Sequence, residues 1–156
     1  MKLTTSMARQ VAAGLLLAGV FSGSAYAQEE PVGYVKTLSG NATITTGTNK
    51  VKAAVGTGVF QGSQIQTEPG ASMGVTFKDN TIMSFGPDTR LTVDEYVYNP
   101  NQGKVKFGSK LAKGTLNYVS GAIAKMNPEA VAVKTPTGTI GVRGTHFVAK
   151  VDEGQP

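Results

Sequence analysis

The chain has no cysteine and a single histidine, His146, among its 156 residues. The absence of cysteine excludes thiolate nucleophiles, thiolate metal sites and redox motifs. One histidine without cysteine also cannot supply the usual ligand sets of zinc. Asp79-Asn80 and Asp94-Glu95 lack the spaced ligands of a dedicated calcium loop. We therefore predict no metal, no cofactor and no disulfide bonds.

Long apolar runs are also lacking, with one exception near the N-terminus. Residues 11–21 are apolar, follow two basic residues and precede a small-residue sequence, Ala-Tyr-Ala, that ends at Ala27. This order predicts a secretory signal peptide over residues 1–27, cut after Ala27. The run is well short of the ~20 residues that cross a bilayer. We expect a periplasmic or secreted protein with no integral membrane segment after cleavage.

Acidic residues are scarce in one half of the chain. Residues 101–150 hold eight basic side chains and one acid, Glu129, whereas residues 28–100 hold five basic and seven acidic ones. A basic region can bind an anionic partner such as a polysaccharide, and it is also typical of a solvated sheet that resists edge-to-edge pairing. We predict no nucleic-acid partner, because an exported protein rarely meets nucleic acid. The candidate interaction surface comprises Lys104, Lys106, Lys110, Lys113 and Tyr118.

Helical periodicity is nearly absent, and alternation of apolar and polar residues replaces it. The clearest strand covers residues 71–77, with Ala71, Met73, Val75 and Phe77 on one face. About ten such short strands, punctuated by 20 glycines, predict an all-β domain over residues 31–156, built as a compact β-roll or distorted β-sandwich. Residues 33–38 and 42–46 are expected to be strands around a tight turn. Residues 104–107 and 116–119 are expected to be separate strands, and residues 122–126 the only helix.

Catalysis lacks a convincing set of residues. A Ser/His/Asp triad would need His146 with Asp79 or Asp152, and no Gly-x-Ser-x-Gly turn exposes a nucleophile. Alternation puts His146 on the outer face of its strand and Phe147 toward the core. We predict that the protein is not an enzyme.

The last motif of the chain, residues 135–147, packs glycines, threonines and one arginine between two alternating apolar runs. It resembles the closing Thr-Pro … Arg-Gly-Thr-x-Phe signature of the FecR domain. Residues 33–42 look like that family's opening strand pair, and residues 55–67 like its glycine-flanked segment ending in Ile-x-Thr. Residues 71–91 are similar to its strand, turn and following strand, and residues 113–116 to its Gly-x-Leu step.

The resemblance implies a β-rich envelope module that acts by protein–protein contact. Regulatory members add a cytoplasmic segment and a membrane helix. A cleavable signal replaces both here, so sigma-factor signalling is not expected. Family domains often run on through another hairpin, so we expect a truncated or minimal copy with an open last edge. The structural residues of the motif are expected to be Thr135, Pro136, Gly141, Arg143, Gly144, Thr145 and Phe147.

Two of these residues have specific predicted roles. Gly144 is expected to allow close packing or positive φ. Arg143 is expected to stack on Tyr118 or pair with an acid, and the alternative is a site for an acidic ligand. The function predicted is an exported, non-enzymatic protein with an envelope or outer-membrane protein partner and a sensory or scaffolding role. The alternative function is binding of envelope polysaccharide or peptidoglycan by the basic half and the tyrosines Tyr34, Tyr96, Tyr98 and Tyr118.

Overall fold

A computed structural model describes residues 29–144 and 146–153. Twelve strands and one short α-helix make up this part of the chain, and the all-β prediction is confirmed. The predicted signal peptide lies outside the described residues. The first six strands are β1 Gly33–Ser39, β2 Ala42–Thr46, β3 Asn49–Lys52, β4 Gly58–Val59, β5 Gln64–Thr67 and β6 Ser72–Phe77. The next are β7 Ile82–Phe85, β8 Arg90–Asn99, β9 Lys104–Val119, β10 Val131–Thr135, β11 Gly138–Gly141 and β12 His146–Val151.

The strands form one continuous sheet that curls into two halves. The first half has the order β4-β1-β6-β7-β9-β12, and the second has the order β3-β2-β5-β8-β9-β10-β11. Strand β9 belongs to both halves. The pairing of β10 with β9 is parallel, and the other described pairings are antiparallel. Residues 40–41 join β1 to β2, which lie in different halves and do not pair. The expected local strand pair at this turn is therefore wrong.

Strand β9 runs unbroken for 16 residues, where the sequence predicted two separate strands. Its N-terminal part pairs with β8 and β10, and its C-terminal part pairs with β7 and β12. Between them Gly114 has a φ of 92°, and a Cβ there would lie 2.4 Å from the Cα of Thr89. The amide of Thr115 donates to the Thr89 hydroxyl at 3.0 Å. A glycine at position 114 therefore allows β9 to pass from one half of the sheet to the other without a break in the strand.

The core lies between the two halves of the sheet. Ala71, Met73, Val75 and Phe77 are all buried, as the alternation predicted. The ring of Phe77 in β6 lies 4.7 Å from that of Phe107 in β9 of the other half. Because aromatic rings bury large apolar areas and pair at such distances, this contact helps to hold the halves together.

A buried carboxylate fixes the helix α1, Ala122–Met126, against the β6–β7 turn. Asp79 is fully buried and accepts hydrogen bonds from the Thr81 hydroxyl at 2.7 Å, the Tyr96 hydroxyl at 3.0 Å and the Ile123 amide at 3.2 Å. Burial, together with the charge of Asp79, raises the pKa of Tyr96. The sequence predicted the turn and the helix but not the carboxylate that joins them.

Candidate interaction surface

The closing motif forms a hairpin and the approach to the last strand. Thr135 ends β10, Pro136 begins the turn into β11, and the Thr135 hydroxyl donates to the carbonyl of Gly138 at 3.0 Å. Pro fixes the φ that such a turn needs. Arg143 and Gly144 connect β11 to β12, and Thr145 lies outside the described residues. The motif therefore supplies the two strands at this end of the sheet.

Strands β11 and β12 line an open cleft of about 620 Å³, named here the β11–β12 cleft. Among the described strands β11 pairs only with β10, and β12 pairs only with β9. Each strand therefore has one edge that pairs with no described strand. Val148 is 62% exposed on β12, and Ile140 and Phe147 are partly buried against the core. The cleft thus combines unpaired backbone edges with apolar side chains.

The glycines of the motif do not have the predicted steric role. A Cβ on Gly141 or Gly144 would meet no atom within 4 Å, and neither residue has a positive φ. The carbonyl of Gly144 instead accepts a hydrogen bond from the hydroxyl of Ser120. The expectation that Gly144 permits close packing or positive φ is wrong. Both conditions are met by Gly40, in the turn after β1, and most severely by Gly114, in the middle of β9.

Arg143 also differs from its predicted contacts. Its side chain is exposed on the rim of the cleft and makes no salt bridge within residues 29–144 and 146–153. Phe147 stacks on Tyr118 instead, with ring centroids 5.0 Å apart. Tyr118 is fully buried, and this burial raises its pKa to about 12. Its predicted place on an interaction surface is therefore wrong, and so is the predicted Arg143–Tyr118 stack.

The predicted lysines fall into two environments. Lys104, Lys106 and Lys110 are exposed on the outer side of β9, and Lys106 pairs with Glu95 at 2.9 Å. The side chain of Lys113 is only 16% exposed and bridges Asp88 at 3.0 Å and Glu153 at 2.7 Å. The hydrogen bond to Glu153 raises the pKa of Lys113 most, and the hydrogen bond to Asp88 raises it further. Lys113 therefore ties β9 to its neighbours, while the other three lysines lie open to solvent.

A match to a protein-family model identifies the family to which the chain belongs. The family model described as FecR protein matches residues 63–156, well over half of the chain. The chain belongs to the FecR family. No curated protein and no solved structure matches it. The FecR family takes part in signal transduction across the cell envelope, as a regulatory and sensory domain. Within the described part of this FecR protein, no helix is long and apolar enough to span a membrane.

The candidate triad residues of this FecR protein do not come together. His146 is exposed and its ring hydrogen-bonds Asn117 across the β9–β12 pair. Asp79 is buried in the α1 contact, where its carboxylate accepts four hydrogen bonds. In the described residues no group of three His, Asp or Glu side chains is arranged to hold a metal ion.

The tyrosines do not form the predicted sugar-stacking surface. Tyr96 and Tyr118 are buried and Tyr98 is partly buried against the core, so only Tyr34 has a substantially exposed ring. The alternative function of polysaccharide binding therefore cannot rest on aromatic stacking.

A second surface of the FecR domain was not recognised from the sequence. The outer side of the second half-sheet carries two rows of polar residues, named here the polar face, in which directly paired residues lie side by side. The first row is Lys50, Thr45, Gln64, Thr92, Lys110, Lys134 and Thr139. The second row is Lys52, Thr43, Gln66, Arg90 and Lys113. The alternation of polar and apolar residues within each strand can be read from the sequence. The order of the strands, which brings these polar residues into rows, cannot.

Proposed function

We propose that this FecR protein is an exported, non-enzymatic envelope protein that binds a protein partner by strand addition in the β11–β12 cleft. Its role is sensory or scaffolding, in the periplasm or at the outer cell surface. The family's part in envelope signalling supports the setting. The free edges of β11 and β12, both lining one cleft, carry the proposal.

An unpaired strand edge presents a row of N–H and C=O groups to solvent. An extended segment of a partner can satisfy these groups by adding a strand, while its alternate side chains enter pockets along the edge. Val148 and Ile140 offer apolar contacts for such side chains. Thr135 and Pro136 hold the hairpin that forms one wall, and Phe147 anchors the other wall on Tyr118. Arg143 on the rim favours a partner segment that carries an acid.

A photo-crosslinking amino acid at Val148 tests the contact. We expect crosslinks from this position to a defined envelope protein, identified by mass spectrometry, in living cells. The matched control is Val55, which is 66% exposed but does not line the cleft. Val148→Asp should abolish the complex and Val55→Asp should leave it intact, because a charge in the apolar cleft loses its hydration. Crosslinking from Val55 alone, or equally from both positions, would contradict the proposal.

Export is tested separately by the N-terminus of the mature chain. Cleavage after Ala27 leaves Gln28 as the first residue of the protein in the periplasm or medium. Mass spectrometry of the fractionated cell should find that terminus. A chain retained in the cytoplasm with Met1 intact would reject export without bearing on the strand-edge contact.

A further inference from the structure

We propose that the polar face binds a linear acidic polysaccharide, a function separate from the strand-edge contact. The face is a regular array rather than a scatter of surface lysines. Neighbouring strands lie about 4.8 Å apart, so the seven members of the first row span about 29 Å. Lys50 stands at one end of this row, Lys110 and Lys134 stand near the other end, and threonine and glutamine side chains stand between these cations.

Of the six cations of the face, Lys113 alone is paired with acids among the described residues. Lys50, Lys52, Arg90, Lys110 and Lys134 make no salt bridge within the part of the chain that the structure describes. Of the acids on β8 and in the turn before it, Glu95 pairs with Lys106, and Asp88 pairs with Lys113. A surface that serves only solubility intersperses both signs of charge. This face concentrates one sign, and therefore attracts a polyanion.

One pair of like charges on the face has a cost that a bound anion would relieve. Lys110 and Lys134 are directly opposite each other on paired strands, and like charges in that position are destabilising. An acidic group placed over these strands would neutralise this repulsion.

The groups between the cations favour a polysaccharide over other polyanions. Threonine hydroxyls and glutamine amides both donate and accept hydrogen bonds, as the recognition of sugar hydroxyls requires. The two rows contain no aromatic side chain, whereas binding of single-stranded nucleic acid depends on base stacking. They also contain no large apolar side chain that could enter a bilayer. The chemistry of the face therefore matches a chain of sugars that carries carboxylates.

Binding of the purified full chain to polygalacturonate oligomers tests the proposal. Neutral dextran, oligo(dT) and phosphatidylglycerol vesicles are the comparison probes. We expect binding to polygalacturonate that weakens as salt rises, and weaker or no binding to the other three. No binding to polygalacturonate, or tighter binding to any comparison probe, would overturn the proposal.

Two variants with the same net charge distinguish the contribution of the polar face to binding from the effect of net charge. The face variant is Lys50→Gln with Lys110→Gln and Lys134→Gln. The control is Lys36→Gln with Lys125→Gln and Lys150→Gln, three exposed lysines on β1, α1 and β12. We expect the face variant to lose at least tenfold in affinity for polygalacturonate and the control to change less than threefold. Equal losses would overturn the proposal.

Circular dichroism melting checks that both triple variants are folded. Lys134→Gln alone provides a milder test if the face variant does not fold. It should weaken binding measurably while Lys125→Gln does not, and unchanged affinity for Lys134→Gln would overturn the proposal in the same way.

Discussion

At the scale of single residues, glycine is required where the backbone is crowded and not where the sequence motif is densest. Gly114 has a φ of 92° and a backbone atom of Thr89 only 2.4 Å from where its Cβ would lie. Gly144 has open space around it and an ordinary φ. Because a motif does not show which atoms approach it from distant strands, sequence reasoning favoured the wrong glycine.

Three alanine substitutions distinguish the two reasons for requiring glycine, a positive φ and a close approach of other atoms. Gly114→Ala should lower the free energy of unfolding by about 3 kcal/mol or more, from positive φ and from collision with Thr89. Gly56 also has a φ of 92° but has nothing within 4 Å of its Cβ position, so Gly56→Ala should cost about 1 kcal/mol. Gly144→Ala should stay within about 0.5 kcal/mol of the wild type. Urea midpoints measure all three, and a Gly144→Ala loss as large as that of Gly114→Ala would contradict this assignment.

At the scale of elements, the sequence predicts which face of a strand is buried better than it predicts which strands pair. Alternation placed Ala71, Met73, Val75 and Phe77 inward, and all four are buried. Alternation is local, because successive side chains point to opposite sides of the sheet. Pairing is not local: β1 pairs with β6 rather than β2, and Gln64 meets Thr92 only because β5 lies beside β8. The polar face depends on that order, so it could not be predicted.

The contact between helix α1 and the β6–β7 turn gives a prediction at this scale. Asp79→Asn should lower the free energy of unfolding by about 3 kcal/mol, because an amide has one acceptor oxygen and cannot accept all four hydrogen bonds that the buried carboxylate receives. Amide hydrogen exchange in residues 122–126 should accelerate with it. The exposed Asp94→Asn, which removes the same charge, should change stability by less than about 0.5 kcal/mol. Equal effects of the two substitutions would show that charge, and not the buried contact, governs stability.

At the scale of the whole molecule, the two half-sheets share one core. The free energy of unfolding at high pH depends on the tyrosines buried in that core. Burial raises the pKa of Tyr118 to about 12, against about 10 in an unfolded chain. Burial and the nearby charge of Asp79 also raise the pKa of Tyr96. Between these values the folded protein keeps protons that the unfolded chain has lost. The free energy of unfolding therefore has its full tyrosine contribution below pH about 10 and loses it as the pH rises toward about 12.

Urea midpoints at pH 8, 10 and 11.5 measure this loss. Lysine ion pairs also weaken as pH rises over this range, since the pKa values of Lys113 and Lys150 are raised by their acidic partners. The tyrosine contribution is therefore isolated by substitution. Tyr118→Phe should flatten the fall in stability between pH 10 and 11.5, because phenylalanine does not ionise in the core. Tyr34→Phe, at a ring that is 39% exposed, should leave the fall unchanged. If the Tyr118→Phe protein lost stability with pH as steeply as the wild type, the buried tyrosine would not be the group that limits the fold in alkali.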